Sequence, residues 1–244
     1  MRNFRSVTAL TAALVLGGGA LGLSAPSAGS APAAPERAQR TAQGTGQRTA
    51  QGTAEVSAFH AIPGVTVDVY VNGRELLSDV APGTLTSPRS LPSGSYDVEL
   101  FRAGADPAGT PLVEKGVRVR AGSNTTLVAH LTAAGDPTLD SYTNDVSRVP
   151  AGQTRTTVRH VAAAPAVDVK ADRKTLVSGL TNPGEATGTL PAGTAELRVL
   201  LAGTGRTVLG PTPVALRAGT STVVYVWGSA AEGNLALKTQ VLGG

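Results

Sequence analysis

Val56 to Gly73 reads VSAFHAIPGVTVDVYVNG, and one hundred residues later Thr156 to Arg173 reads TTVRHVAAAPAVDVKADR. His60 aligns with His160, and Asp68 with Asp168. A copy at fixed spacing means one structural unit made twice, which sets the domain count ahead of any other feature. Inside the stretch, Val65, Val67, Val69 and Val71 alternate with Thr66, Asp68 and Tyr70. That period of two is the pattern of a strand with one buried face. Asn72-Gly73 then supplies two residues that accept positive φ, as a tight hairpin turn requires.

Working outward, Arg74 to Val80 reads as a weaker return strand. Leu91-Pro92-Ser93-Gly94 is a turn into Ser95 to Phe101, where Tyr96, Val98 and Leu100 share a face. The second copy repeats this as Leu190-Pro191-Ala192-Gly193 followed by Thr194 to Leu201. Val117 to Arg120 and Val214 to Arg217 run into Ala121-Gly122-Ser123 and Ala218-Gly219-Thr220. These turns open the β-prone runs Thr125 to Leu131 and Ser221 to Trp227. Last strands are expected at Leu139 to Thr143 and Leu235 to Val241. With about seven strands per copy, Gly and Pro turns between them and no helical stretch after the leader, the pattern is that of an all-β chain. It predicts two tandem antiparallel β-sandwich domains, residues 56–147 and 155–244, joined by 148–154. The whole chain has three Phe, four Tyr and one Trp, so Val, Leu and Ala must supply most of each core.

The N-terminus reads as a secretory signal peptide over residues 1–33. Arg2 and Arg5 form its charged region, Val7 to Leu23 its apolar region, and Ala31-Pro32-Ala33 a small-residue cleavage motif, with a cut after Ala28 as the other site. Residues 34–55 form a linker with the short repeat RTAQGTGQ, RTAQGTAE, and lack the large apolar side chains that would offset the entropy of ordering. The expectation is a secreted or extracellular protein with no retained transmembrane segment. The chain has no cysteine, and so neither disulfides nor a lipid-bearing cysteine.

The formal net charge of +4 resides in residues 1–54, which hold five Arg against one Glu. The remainder balances, so the high pI is no footprint for nucleic acid, which calls for basic residues gathered on one folded face. Within that remainder the first copy has seven basic and eleven acidic residues, and the second nine and five. Such opposite signs either are drift on solvated surfaces or favour contact, between the two domains or head to tail between molecules.

At this point the residues carry a family resemblance. Val158 to His160, Ala166-Val167-Asp168-Val169, Ser178-Gly179-Leu180, Leu190 to Thr194 and Arg217 to Thr220 resemble the DUF4397 family of bacterial secreted and surface β-domains. The first copy matches through Phe59-His60, Val67 to Gly73 and Leu91 to Gly94. The resemblance implies an Ig-like or transthyretin-like sandwich in an exported protein, in a family with no assigned function. Family members often carry S-P-D-A-P after the His; both copies here lack that acidic residue.

The repeated pairs His60 with Asp68 and His160 with Asp168 are the polar constellation to test. An Asp partner would orient and charge an imidazole. The structural alternative is a His bonded to backbone that locks the first turn, and one His with one Asp is a thin metal shell. A Ser nucleophile needs a base and an orienting group; G-x-S-x-G is absent, and the remaining His130 lies in a β run. Tyr225 and Trp227 read either as binding anchors or as ordinary strand residues. The expectation is therefore no catalytic, metal or cofactor site. The chain reads as a non-enzymatic binding or structural module of the bacterial envelope, its partner a cell-wall polymer or another surface protein. The alternatives are a carbohydrate- or peptidoglycan-binding accessory module, and an uncharacterised hydrolase.

Overall fold

The computed structural model describes residues 52–243. The expected signal peptide and most of the 34–55 linker lie outside the described residues. The first copy forms β1 (Thr53–His60), β2 (Val67–Val71), β3 (Arg74–Val80), β4 (Arg89–Pro92), β5 (Gly94–Arg102), β6 (Val113–Val119), β7 (Asn124–Leu131) and β8 (Pro137–Thr143). The second forms β9 (Gln153–Ala163), β10 (Val167–Ala171), β11 (Lys174–Leu180), β12 (Glu185–Pro191), β13 (Gly193–Leu201), β14 (Thr207–Leu216), β15 (Ser221–Ser229) and β16 (Ala236–Leu242).

Each copy is a two-sheet sandwich with the same strand order. Sheets β4-β1-β7-β8 and β3-β2-β5-β6 make the first, and β12-β9-β15-β16 and β11-β10-β13-β14 the second. Pairing is antiparallel except for β1 with β7 and β9 with β15. No hairpin joins those two pairs, so nothing forces them to run in opposite directions.

The strand count is eight per copy and not seven. The added strand, β4 or β12, ends in the Leu-Pro of a motif that reads as a turn. The residues leading into that motif pair with the first strand of the copy, Ala54 with Leu91 and Thr154 with Leu190. Proline is tolerated there because both strands lie at a sheet edge. β1 also begins at Thr53, so the end of the expected linker is strand, and the link between copies runs from residue 144 to 152.

The hairpin motif behaves as its residues demand. Asn72 (φ 52°) and Gly73 (φ 71°) are both left-handed. Asn72 Oδ1 accepts from Asp97 N at 2.9 Å, and Asp172 Oδ1 repeats the bond to Glu196 N at 3.0 Å.

The sandwiches pack on one another through the sheets carrying β1 and β9. Phe59, Ala61, Val128 and Tyr142 of the first form one buried cluster with Val161, Val223, Tyr225 and Leu242 of the second. The Phe59 ring centroid lies 4.9 Å from that of Tyr225 and 5.9 Å from that of Trp227. β15 is consequently buried on both faces: Val224 and Val226 enter its own core while Val223 and Tyr225 enter the junction.

A polar chain runs through this junction. Arg159, 1 % exposed, lies 4.5 Å above the Tyr142 ring, donates from Nε to Glu185 at 2.8 Å and from Nη1 to the Tyr225 hydroxyl at 2.9 Å. Tyr225 and Thr126 both donate to Gln240 Oε1, at 2.7 and 3.1 Å. A buried guanidinium needs such partners, because desolvation without them is costly. The contact between copies is thus aromatic and hydrogen-bonded. Among the described residues, the ion pairs lie within one copy or join Arg155 to Asp145 in the link, so opposite net charge does not make the junction.

Candidate functional site: an apolar chamber in the first sandwich

The repeated His and Asp side chains do not meet. His60 Nε2 donates to Val65 O at 2.8 Å and His160 Nε2 to Pro165 O at 3.0 Å, tying the first strand of each copy to the turn that follows it. Asp68 Oδ1 accepts from Asp79 N at 2.8 Å and its Oδ2 from Gly104 N at 2.9 Å, while Asp168 Oδ1 accepts from Gly179 N at 2.8 Å. Asp79 and Gly179 have φ of 53° and 65°, and the ladders shift register beside them. Each carboxylate therefore caps a β-bulge, a distortion that leaves a backbone N–H in need of an acceptor. Burial pushes both imidazoles below 6.5, opposed by the bond to the carbonyl and, for His160, reinforced by the nearby His130.

The two histidines differ in one respect. His160 Nδ1 accepts from Ala162 N at 3.3 Å, whereas His60 Nδ1 is buried without a hydrogen-bond partner. His60, 4 % exposed, stands in the wall of a cavity of about 690 Å³ between the two sheets of the first sandwich. That volume falls in the range of about 300–1,000 Å³ usual for small-molecule sites.

The chamber follows from how the sandwich is edged. β3 and β4 are the outer strands of their sheets on one side, and β6 and β8 on the other. On the β6/β8 side Lys115 Nζ meets Asp140 Oδ1 at 2.9 Å, and His130 Nε2 meets Asp140 Oδ2 at 2.9 Å. Burial would raise the Asp140 carboxyl, but the hydrogen bonds from Lys115 and His130 outweigh it and hold it below its usual range. That edge is closed by ion pairing. On the other side β4 has four residues where β12 has seven, and the chamber wall reaches Arg74 and Leu76 on β3 and Arg89 and Leu91 on β4.

Comparison of the copies at matched register shows the difference in packing. Val69, Val71, Leu91 and Leu127 are only partly buried and border the chamber. Their counterparts Val169, Ala171, Leu190 and Val224 are buried. Ala58 and Ala129 line the chamber where the second copy has Val158 and Val226. The corresponding recess of the second sandwich, between β11 and β12, has a volume of about 150 Å³. Fully burying one Val or Leu is worth roughly 1.5–3 kcal/mol, so the partly buried wall of the first copy represents unrealised apolar stabilisation.

Polar groups lie at the two ends of this wall. His60 sits beside the start of β2, and Arg74 pairs with Val71 at its end. Four strand steps at roughly 3.3 Å each put about 13 Å between these levels. Arg89 pairs with Val56 on β1. The register equivalents of Arg74 and Arg89 in the second copy are Lys174 and Gly188.

Sequence reasoning singled out none of Ala58, Arg74, Arg89 or Ala129. The available signal was the mismatch between copies, Ala for Val twice and Arg for Gly once, at positions that the repeat places in register. Tyr225 and Trp227 lie on β15, and their place is the junction with Phe59. Among the described residues no three His, Asp or Glu side chains cluster as a metal ion requires.

Residues 54–170 match the family model DUF4397, a domain of unknown function; the match spans the first sandwich and ends in β10. No curated protein matches the sequence. Among solved structures, the TIE protein of Bacillus anthracis overlaps with 10% identity over 71% of this chain and 33% of its own, at a TM-score of 0.23. This chain therefore spans a third of that protein's length. A candidate cell adhesion protein of Bacteroides uniformis overlaps with 11% identity over 79% of this chain and 99% of its own, at a TM-score of 0.26. Another from Bacteroides fragilis gives 10%, 80%, 98% and 0.19. The architecture rests on the strand pairing and not on these overlaps.

Proposed function

With residues 54–170 matching the DUF4397 family model, we propose that the protein is an exported, non-enzymatic binding module of the bacterial envelope whose first sandwich holds an apolar ligand. The leader and the family resemblance support export. The second sandwich, filled and joined to the first across a buried aromatic junction, serves as a scaffold. Support for a binding role over catalysis comes from the repeated polar groups: His60, His160, Asp68 and Asp168 are engaged by backbone atoms of their own turns and bulges.

The observation that carries the reading is the chamber of about 690 Å³ with partly buried Val and Leu walls. A hydrocarbon fits such a wall. A sugar or peptidoglycan strand would lose its bonds to water there with few partners in exchange.

Titration of a neutral, environment-sensitive apolar fluorophore tests this. Saturable binding at one site per chain is expected, abolished by Ala129→Leu in a variant that keeps the wild-type circular dichroism. Absence of saturable binding to the wild-type protein would overturn the proposal.

A further inference from the structure

From the chamber and its mouth we infer that the ligand is a single-chain amphiphile with an anionic head, a carboxylate or a phosphate. The inference rests on the apolar-ligand reading above and adds the head group. Arg74 and Arg89 form part of the wall on β3 and β4, the two strands that leave this edge of the sandwich open, and both side chains are exposed. Among the described residues neither is in an ion pair. The acid beside them, Glu75, is engaged by the Tyr70 hydroxyl at 3.2 Å.

These arginines stand on a copy with seven basic and eleven acidic residues, so a basic mouth is a local feature and not a reflection of the surface at large. Guanidinium groups suit both candidate heads, since their fork of N–H donors matches carboxylate and phosphate oxygens. The apolar chain would lie along β2 between the sheets. At the far end His60 Nε2 donates to Val65 O, which leaves Nδ1 a bare acceptor with no hydrogen-bond partner. The recess in the second copy has neither the volume nor two arginines, having Lys174 and Gly188 at the same register.

The test displaces the bound neutral fluorophore from the exported protein with laurate, dodecyl phosphate or dodecanol. Laurate and dodecyl phosphate should compete at concentrations about tenfold lower than dodecanol, a difference of the size one charge-assisted contact gives. The double variant Arg74→Gln, Arg89→Gln should erase that advantage while leaving dodecanol unchanged, with melting curves showing both forms folded. Equal competition by all three in the wild-type protein would overturn the anionic-head inference and leave the apolar-ligand reading standing. If the fluorophore itself does not bind, the apolar-ligand reading falls and this inference with it.

Discussion

The two sandwiches share strand order and the capped β-bulge, yet one is open along an edge and the other is filled. At matched positions Val69 and Val169, Leu91 and Leu190, Leu127 and Val224 differ in burial while their apolar character is the same. The fold therefore tolerates two degrees of filling between the same faces. Where Val158 and Val226 project inward, the core is filled; where Ala58 and Ala129 stand at the same register, a chamber is left. Repetition supplied a scaffold whose stability can reside in one copy, freeing the other to keep a poorly filled core.

The comparison can be broken or sharpened by substitution. The largest effect is expected where both copies depend on one side chain. Phe59→Ala should lower stability by about 3–5 kcal/mol, the usual cost of removing a buried aromatic ring, as read by urea denaturation. A loss under about 1 kcal/mol would show that the junction contributes little.

Leu190→Ala and Leu91→Ala come next. The buried residue of the filled copy should cost about 2–5 kcal/mol, and its partly exposed counterpart less than half of that. Equal losses would mean that the first core is packed like the second.

A smaller effect follows from the histidines. Burial holds the imidazoles of His60 and His160 below 6.5 in the folded protein. Between that value and the lowered folded one, the unfolded chain binds protons that the folded chain refuses, so stability rises with pH. Stability should thus be complete above pH 6.5 and fall as the pH drops through the lowered values. His60→Gln should flatten part of this slope in denaturation measured across that range; an unchanged slope would contradict it. Asp140, held low chiefly through Lys115 and His130 against the opposing effect of burial, adds a separate loss at pH values below 3.8.

The smallest expected effect is that of salt. Because aromatic and hydrogen-bonded contacts join the copies, small-angle scattering should give the same radius of gyration at low and high ionic strength. Expansion with salt would restore a role for the opposite net charges.

Much of the fold was legible because its signals are local. Alternation in Val65 to Val71 and the Asn72-Gly73 turn each specify their own geometry; in the second copy the alternation recurs and Asp172 alone keeps the left-handed turn position. β4 was hidden because Arg89-Ser90-Leu91-Pro92 has neither alternation nor β-branched residues; an edge strand can form from such residues when a partner supplies the ladder. The junction left a signal that went unused: Thr222 to Val226 is apolar or hydroxyl-bearing throughout, the pattern of a strand buried on both faces.

The chamber is a harder case. Alternation tells which side chains face inward and nothing about how far apart the two sheets stand, so the valines of β2 read the same whether the core is filled or open. The His and Asp spacing was a true regularity, but it marks a turn lock and a bulge cap. Their recurrence in both copies followed from backbone needs that both copies share.

The central claim is that the first copy receives a ligand and the second does not. Methyl-resolved NMR during a laurate titration tests it most directly. The account predicts saturable shifts at Val69, Val71, Leu91 and Leu127, with Val169, Leu190 and Val224 unmoved. Equal shifts in both copies, or none in the first, would contradict it.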